Sequence, residues 1–441
     1  MFWYLSFFLE QFIMNTKHPT KRNYSSLEKF ALHLHPKMID ERAVAFNRTF
    51  GLGGICALLF VILALTGIIL RFSYIPTVEQ AYDSIVNLNS HTIFGGFIRN
   101  LHHLSANFLV IVSFLHLLRV YYSQAIFKER AENWIYGLVM MFLVLASSFT
   151  GYLLPWDQLA YWAITIFTQI FEYIPLFGHS LANFIRSGET LNSNTLLNFY
   201  NLHTGVLPLL FVFFVSLHFW LVRKAGGVAL PEQKETQKVP VIPNLVVKEI
   251  MVALLLIAAL FFASAFYSAP LLEQANPNLS PNPSKAPWYF LGAQELLLHV
   301  HPAFSAVILP VYLLLFFIAV PYLNYKNLNI GVWFNSPEGK KLVIHSAIFS
   351  FLFTFGLIYL LDHFLHFDVW LSSSPSWISI GVIPFLLYTI PVGSFLFYGF
   401  ERYRVRNTEV IMATITVIIV SYLTMLLISL LLRGEGMLLL F

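Results

Sequence analysis

Nine stretches of about twenty mostly apolar residues recur along this chain, at 51–70, 95–118, 134–154, 203–222, 249–268, 303–323, 342–361, 380–399 and 409–432, each long enough to cross a ~30 Å hydrocarbon core. Backbone in lipid has to satisfy its own hydrogen bonds, so stretches of this kind fold as membrane-spanning helices. Composition agrees, with 58% hydrophobic and only 11% charged residues in 441, a balance foreign to a water-soluble domain of this size. The expected fold is all-α and integral to the membrane, with about nine spans. The run Phe2 to Met14 is too short to span and contains Glu10, which predicts an interfacial helix or an uncleaved leader.

The 26 Lys and Arg residues divide unevenly when loops alternate sides. The N-terminal arm, the linkers near 119–134, 223–248 and 324–341, and the segment 401–408 hold 21 of them; Arg71, Arg99, Arg186, Lys285 and Arg433 fall on the other side. The positive-inside rule places the arm and those linkers in the cytoplasm and the segment after the ninth span outside. The net charge of +4 follows from the same rule, so it points to no nucleic-acid partner. A single Cys56 excludes an internal disulfide and a cysteine-ligated iron–sulfur cluster.

Two spans each carry a pair of histidines, His102 with His116 and His203 with His218, fourteen and fifteen residues apart. At ~100° and ~1.5 Å per residue the members of each pair lie within roughly 40° and 60° of one face and about 21 and 22 Å apart along the axis. Imidazole inside hydrocarbon is expensive and needs a partner. Side by side, the two helices bring the four rings into two facing pairs stacked across the bilayer, the arrangement for two bis-histidine hemes. Two axial nitrogens leave no open position at iron, so the implied chemistry is electron transfer.

Glycines repeat the same interval. Gly53 and Gly67 on the first span, and Gly137 and Gly151 on the third, are each fourteen apart. Glycine costs a helix about 1 kcal/mol against alanine, so the repeat is read as backbone that something bulky and flat approaches closely, with small-residue helix packing as the plain alternative. Arg99 and Arg119 stand three residues outside His102 and His116, placed to pair heme propionates. Arg223 and Lys224 follow His218 and could pair a propionate or a quinone carbonyl, although snorkelling and topology account for them as well.

Gly96-x-x-Arg99-x-x-His102, His116-x-x-Arg119, GYLLPWDQLAYWA at 151–163, His203 with His218, and PWYF at 287–290 together resemble cytochrome b of quinol-oxidising cytochrome bc complexes, over about residues 35–361. The fifteen-residue histidine step is similar to the chloroplast-type branch. The resemblance implies that His102 and His203 ligate a low-potential heme near the outside, and His116 and His218 a high-potential heme near the cytoplasm. It implies an outer quinol-oxidation site between 151–163 and 286–296, with Trp288 and Tyr289 in it, and an inner quinone site at the end of the N-terminal arm, the start of span one and the end of span four. Partners would be a Rieske-type iron–sulfur protein and a c-type cytochrome, in a homodimeric complex of a bacterial-type inner membrane, with lipid around the spans.

The chain departs from that pattern in three ways. Ala286-Pro287-Trp288-Tyr289 aligns with the family's Pro-Glu-Trp-Tyr, so the proton-accepting glutamate is missing; Glu295 is the expected substitute, since a carboxyl in an apolar pocket has its pKa raised toward the working range, with a helix-start carboxylate favoured by the dipole as the plain alternative. Relatives with a covalent third heme carry a cysteine where Gly51 stands, and Cys56 is out of register by about 140°, so no covalent heme is expected and Cys56 reads as apolar filler. Two further C-terminal spans, with no ionisable residue between Ile411 and Leu432, are expected to dock partner subunits or lipid rather than conduct protons.

The expected divisions are an arm (1–50), a four-helix di-heme part (51–224), a second part (225–361) with the proline-rich loop 270–302, and the two added helices (362–441). Asp362, His363, His366 and Asp368 form a polar cluster that reads as a solvated loop end more readily than as a metal site. Two other functions stay open: a di-heme anchor exchanging electrons between quinone and an external redox subunit, and a non-redox carrier, which would need intramembrane carboxylates or broken helices.

Overall fold

The computed structural model describes residues 35–233, 236–323, 325 and 328–440; the expected interfacial helix at 2–14 lies outside them. Among the described residues nine helices are long and apolar enough to cross a membrane. Together with two shorter ones they are, in chain order, α1 (Leu52–Arg71), α2 (Gly95–Tyr122), α3 (Lys128–Leu153), α4 (Gln158–Phe171), α5 (Ser193–Lys224), α6 (Val241–Phe266), α7 (Leu291–His299), α8 (Ala303–Tyr322), α9 (Pro337–His363), α10 (Ile378–Tyr403) and α11 (Asn407–Leu431). Side chains such as Leu209, Leu255 and Phe262 are more than 60% exposed on the spans. Water would tolerate no apolar surface on this scale, whereas lipid tails face it without cost.

Helices α1, α2, α3 and α5 form the first bundle, in which α1 packs on α2, α3 on α5, and α2 on α3. Its core joins Leu59 and Ile62 of α1, Leu109 and Val112 of α2, Leu143 of α3 and Phe211 of α5. Pro155 ends the third span, and Asp157 caps α4 by accepting from the Ala160 N–H at 2.9 Å. The arm is tied to the linker after α5: strand β1 (Met38–Asp40) pairs antiparallel with β2 (Lys238–Pro240).

Three spans share a local device. Pro208, Pro310 and Pro384 stand at the start of regular helix, each directly after a π turn, at Leu202–Val206, Ala303–Ile308 and Ile378–Val382. Proline offers no N–H and crowds the carbonyl one turn back, and the wider π turn takes up the misfit. In α5 that turn contains His203. A π turn absorbs about one extra residue, so the fifteen-residue step to His218 winds almost as fourteen residues do in α2.

The last helix corrects an expectation. Rather than standing free for partners or lipid, α11 packs against α9, α7 and α10, and more of it is buried than of any other span. Its buried face carries Thr408, Thr416, Ser421, Thr424 and Ser429. Ser421 Oγ hydrogen-bonds Ser350 and Thr354 of α9 at 2.8 Å each and Tyr388 of α10 at 2.6 Å. Small hydroxyl residues allow close approach and bond across helices in lipid, so α11 belongs to the second half of the fold.

Candidate functional site

Histidines of α2 and α5 meet twice. The His102 and His203 rings stand 6.3 Å apart, centroid to centroid, at 73°, and those of His116 and His218 stand 6.4 Å apart at 75°. The first pair is fixed from behind. Thr66 Oγ1 donates its hydrogen to the Ile62 carbonyl at 2.7 Å and lies 2.8 Å from His102 Nδ1, so it accepts from Nδ1–H. His203 Nδ1 donates to the Ser147 carbonyl at 3.0 Å, and Thr150 Oγ1 is 3.2 Å away. Both rings are therefore held in the tautomer that leaves the Nε2 lone pair free, as second-shell partners of metal ligands do.

Three of the four glycines make room for these rings. A Cβ on Gly67 would sit 3.3 Å from His102 Cε1, on Gly53 3.4 Å from His116 Cε1, and on Gly151 2.6 Å from His203 Cε1. In this structure what they admit is imidazole. Gly137 has nothing within 4 Å. Sequence reasoning missed Thr66 and Thr150; the signal was the Thr-Gly dipeptide at 66–67 and 150–151.

The residues fit a heme between each pair. After the rings' own radii are taken off, each separation leaves room for two metal–nitrogen bonds of about 2 Å. The inner pair lacks the bonds that fix the outer one: His116 Nδ1 and His218 Nδ1 are both buried without a hydrogen-bond partner among the described residues. Arg99 and Arg119 are both buried and make no ion pair among the described residues, which suits an anionic group nearby. Their hydrogen bonds go to carbonyls: Arg99 to Ala269 at 2.9 Å and Pro270 at 2.6 Å, Arg119 to Arg48 at 2.8 Å. Arg223 and Lys224 are exposed at the end of α5, with Lys224 Nζ 5.1 Å from the Trp220 ring centroid.

The two stretches predicted to flank an outer site adjoin at Phe290, which packs on the cluster that contains Leu153; the polar ties of 151–163 run instead to the loop segment 272–279. Phe290 meets Phe149 edge-on at 5.8 Å. Asp157 Oδ2 accepts from Leu272 N–H at 3.1 Å, Gln158 Oε1 from Asn276 N–H at 2.6 Å, and Trp162 Nε1 donates to the Leu279 carbonyl at 3.0 Å. Trp288 Nε1 donates to Asn107 Oδ1 on α2 at 2.7 Å. The Tyr289 hydroxyl is buried without a partner among the described residues, and burial raises its pKa.

Glu295 overturns the expectation of a carboxyl raised in an apolar pocket. It is fully buried, but Arg433 Nε lies 3.1 Å from each of its oxygens and His299 Nε2 3.2 Å from Oε1. Burial pushes the carboxyl up; hydrogen bonds and charge from His299 and Arg433 outweigh it and hold the group below the ordinary carboxylate range. Asp362 joins the same guanidinium at 2.8 Å, so it leaves the polar cluster read after span seven. Among the described residues no group of three His, Cys, Asp or Glu could hold a metal ion. Cys56 packs, partly buried, against the core cluster, its Sγ 4.0 Å from Ser113 Oγ.

Fold and site together define a polytopic helical membrane protein built around two stacked imidazole pairs. A family model described as Cytochrome b/b6/petB matches residues 40–226. Cytochrome b6 of Acaryochloris marina is 40% identical over 180 residues, 41% of this chain and 84% of that protein; that of Porphyra purpurea is 39% identical over 180 residues with the same shares. A solved structure described as a hyperthermophilic respiratory Complex III is similar in fold, with a TM-score of 0.66 at 24% identity over 86% of this chain and 98% of that one. This chain belongs to the cytochrome b/b6 family and is an electron-transferring cytochrome b of the bc type.

Proposed function

We propose that the chain is a di-heme cytochrome b that oxidises quinol at an outer site and delivers electrons across the membrane to an inner quinone site, in a quinol:cytochrome c reductase-type complex. The observation that carries this reading is the pair of ring separations, 6.3 and 6.4 Å, formed by residues of the same two helices. His102 and His203 would hold the low-potential heme b, and His116 and His218 the high-potential one. When bound, these non-covalent groups supply one-electron carriers stacked across the bilayer.

The chain's own residues do the rest. Thr66, Thr150 and the Ser147 carbonyl orient the outer imidazoles and keep Nε2 unprotonated. The buried Tyr289 hydroxyl supplies a hydrogen-bonding group for a quinol oxygen, and Trp288, anchored on Asn107, sets the wall beside it. One electron from quinol would pass to a Rieske-type iron–sulfur protein and a c-type cytochrome, the other through the stack. The inner site would lie where Arg48, Arg119 and the end of α5 gather, and the basic linkers put that end in the cytoplasm of a bacterial-type inner membrane. A reduced-minus-oxidised spectrum of the purified complex tests the reading: two b-type components of different potential support it, and one or none overturns it.

A further inference from the structure

Four contacts run from the end of α11 and the segment after it to one stretch of the loop before α7 and α7 itself. Asn282 Oδ1 accepts from Gly436 N–H at 2.5 Å, and Lys285 Nζ donates to the Leu430 carbonyl at 3.3 Å. The Tyr422 hydroxyl donates to the Tyr289 carbonyl at 2.5 Å. Arg433 pairs with Glu295 through Nε and Nη2. Gly292 lets the helices close, since a Cβ there would lie 2.8 Å from the Tyr422 carbonyl oxygen.

The Arg433 guanidinium is the knot of this arrangement. It is itself buried, with hydrogen bonds to Glu295 of α7, to Asp362 Oδ2 of α9 at 2.8 Å, and to the Met437 carbonyl of the hook, the segment 432–440 that folds back after α11, at 3.0 Å. A planar fork with several fixed donors holds partners in one relative geometry, and a buried carboxylate that loses the guanidinium paired with it does not stay where it was. Neither Glu295 nor Arg433 is exposed, so their work is on the backbone between them.

We propose that α11 and its hook are the scaffold of the outer quinol segment 282–295, with Arg433 and Tyr422 as positioning residues that fix where Trp288 and Tyr289 stand. This rests on the reading that Trp288 and Tyr289 line the outer quinol site. The two residues touch no reacting atom; Tyr422 holds the Tyr289 carbonyl, and Arg433 holds Glu295 in the middle of the helix that follows the aromatic pair.

The test uses the assembled complex in its native membrane, with Arg433→Met, Arg433→Lys and Tyr422→Phe. The expected result for Arg433→Met is a KM for quinol raised about tenfold with kcat changed less than about threefold. The b-type absorption and the rate of heme reduction through the inner site stay as in the parent, and Arg433→Lys recovers part of the loss. Tyr422→Phe raises KM about threefold and decides the matter if Arg433→Met does not assemble. An unchanged KM in Tyr422→Phe and in any assembled Arg433→Met, or a loss confined to kcat, overturns the proposal. Trp288→Ala separates the two claims: if it raises KM while the scaffold variants do not, the scaffold alone falls; if it too leaves KM unchanged, the outer-site reading falls.

Discussion

Thr66 Oγ1 stands 2.8 Å from His102 Nδ1 across the α1–α2 contact, with its own hydrogen committed to the Ile62 carbonyl. A hydrogen bond accepted from the far nitrogen makes a ligating imidazole more basic and favours the oxidised metal. Thr66→Val should therefore raise the midpoint potential of one b-type component by on the order of tens of millivolts and leave the other in place. A potentiometric titration of the two components checks this, and equal shifts in both would count against the assignment of Thr66 to a single pair.

Gly151 and Gly137 make a contrasting pair on α3. A Cβ at 151 meets His203 Cε1 at 2.6 Å, closer than real contacts allow, whereas one at 137 meets nothing within 4 Å. Displacing a ring in a packed core costs about 1–3 kcal/mol. Gly151→Ala is expected to lose or broaden the b-type signal of the His102–His203 pair, and Gly137→Ala to keep both signals. Pigment content and low-temperature spectra of the two variants decide it.

Glu295 is held below the ordinary carboxylate range by His299 and Arg433 against the opposing effect of burial. A carboxyl whose folded pKa is depressed lends stability above its unfolded pKa and loses it as pH falls through the folded value. Glu295 thus stays ionised at neutral pH, and Glu295→Gln should leave the apparent pKa of quinol oxidation between about pH 6 and 8 unmoved. A shift of that pKa in the variant's pH–rate profile would restore Glu295 as the group that takes up the quinol proton. The same variant should blunt the loss of stability on acidification, which thermal unfolding at descending pH would measure.

Asn107 of α2 accepts the Trp288 indole N–H at 2.7 Å. Asn107→Leu leaves that donor without its acceptor, a loss of about 1–3 kcal/mol when the group is buried. Quinol oxidation by the assembled complex should slow several-fold while both b-type spectra persist, since Asn107 touches none of the four histidines. Turnover assays beside difference spectra on one preparation check both halves.

The nine spans were legible because lipid imposes length and apolarity on each segment by itself. The histidine pairs were legible because helical spacing is local, although the fifteen-residue step in α5 predicted a wider splay than the π turn before Pro208 leaves. What could not be read was tertiary. Arg433 reaches Glu295 across 138 residues, and no local pattern joins them, so Glu295 looked like a lone carboxyl among apolar neighbours. Thr66 and Thr150 were hidden because a threonine bonded to its own helix is ordinary inside membranes. The buried place of α11 was hidden for the same reason: its hydroxyl stripe is small beside its apolar bulk, and such a stripe suits lipid or a partner subunit as well as a neighbouring helix of the same chain.

One measurement bears most directly on the stacked-pair account: redox titration of the b-type absorption in the parent complex, in His203→Leu and in His218→Leu. The account predicts two components in the parent, loss of one in the first variant and loss of the other in the second. Two undiminished components in either variant, or a single component throughout, would contradict it.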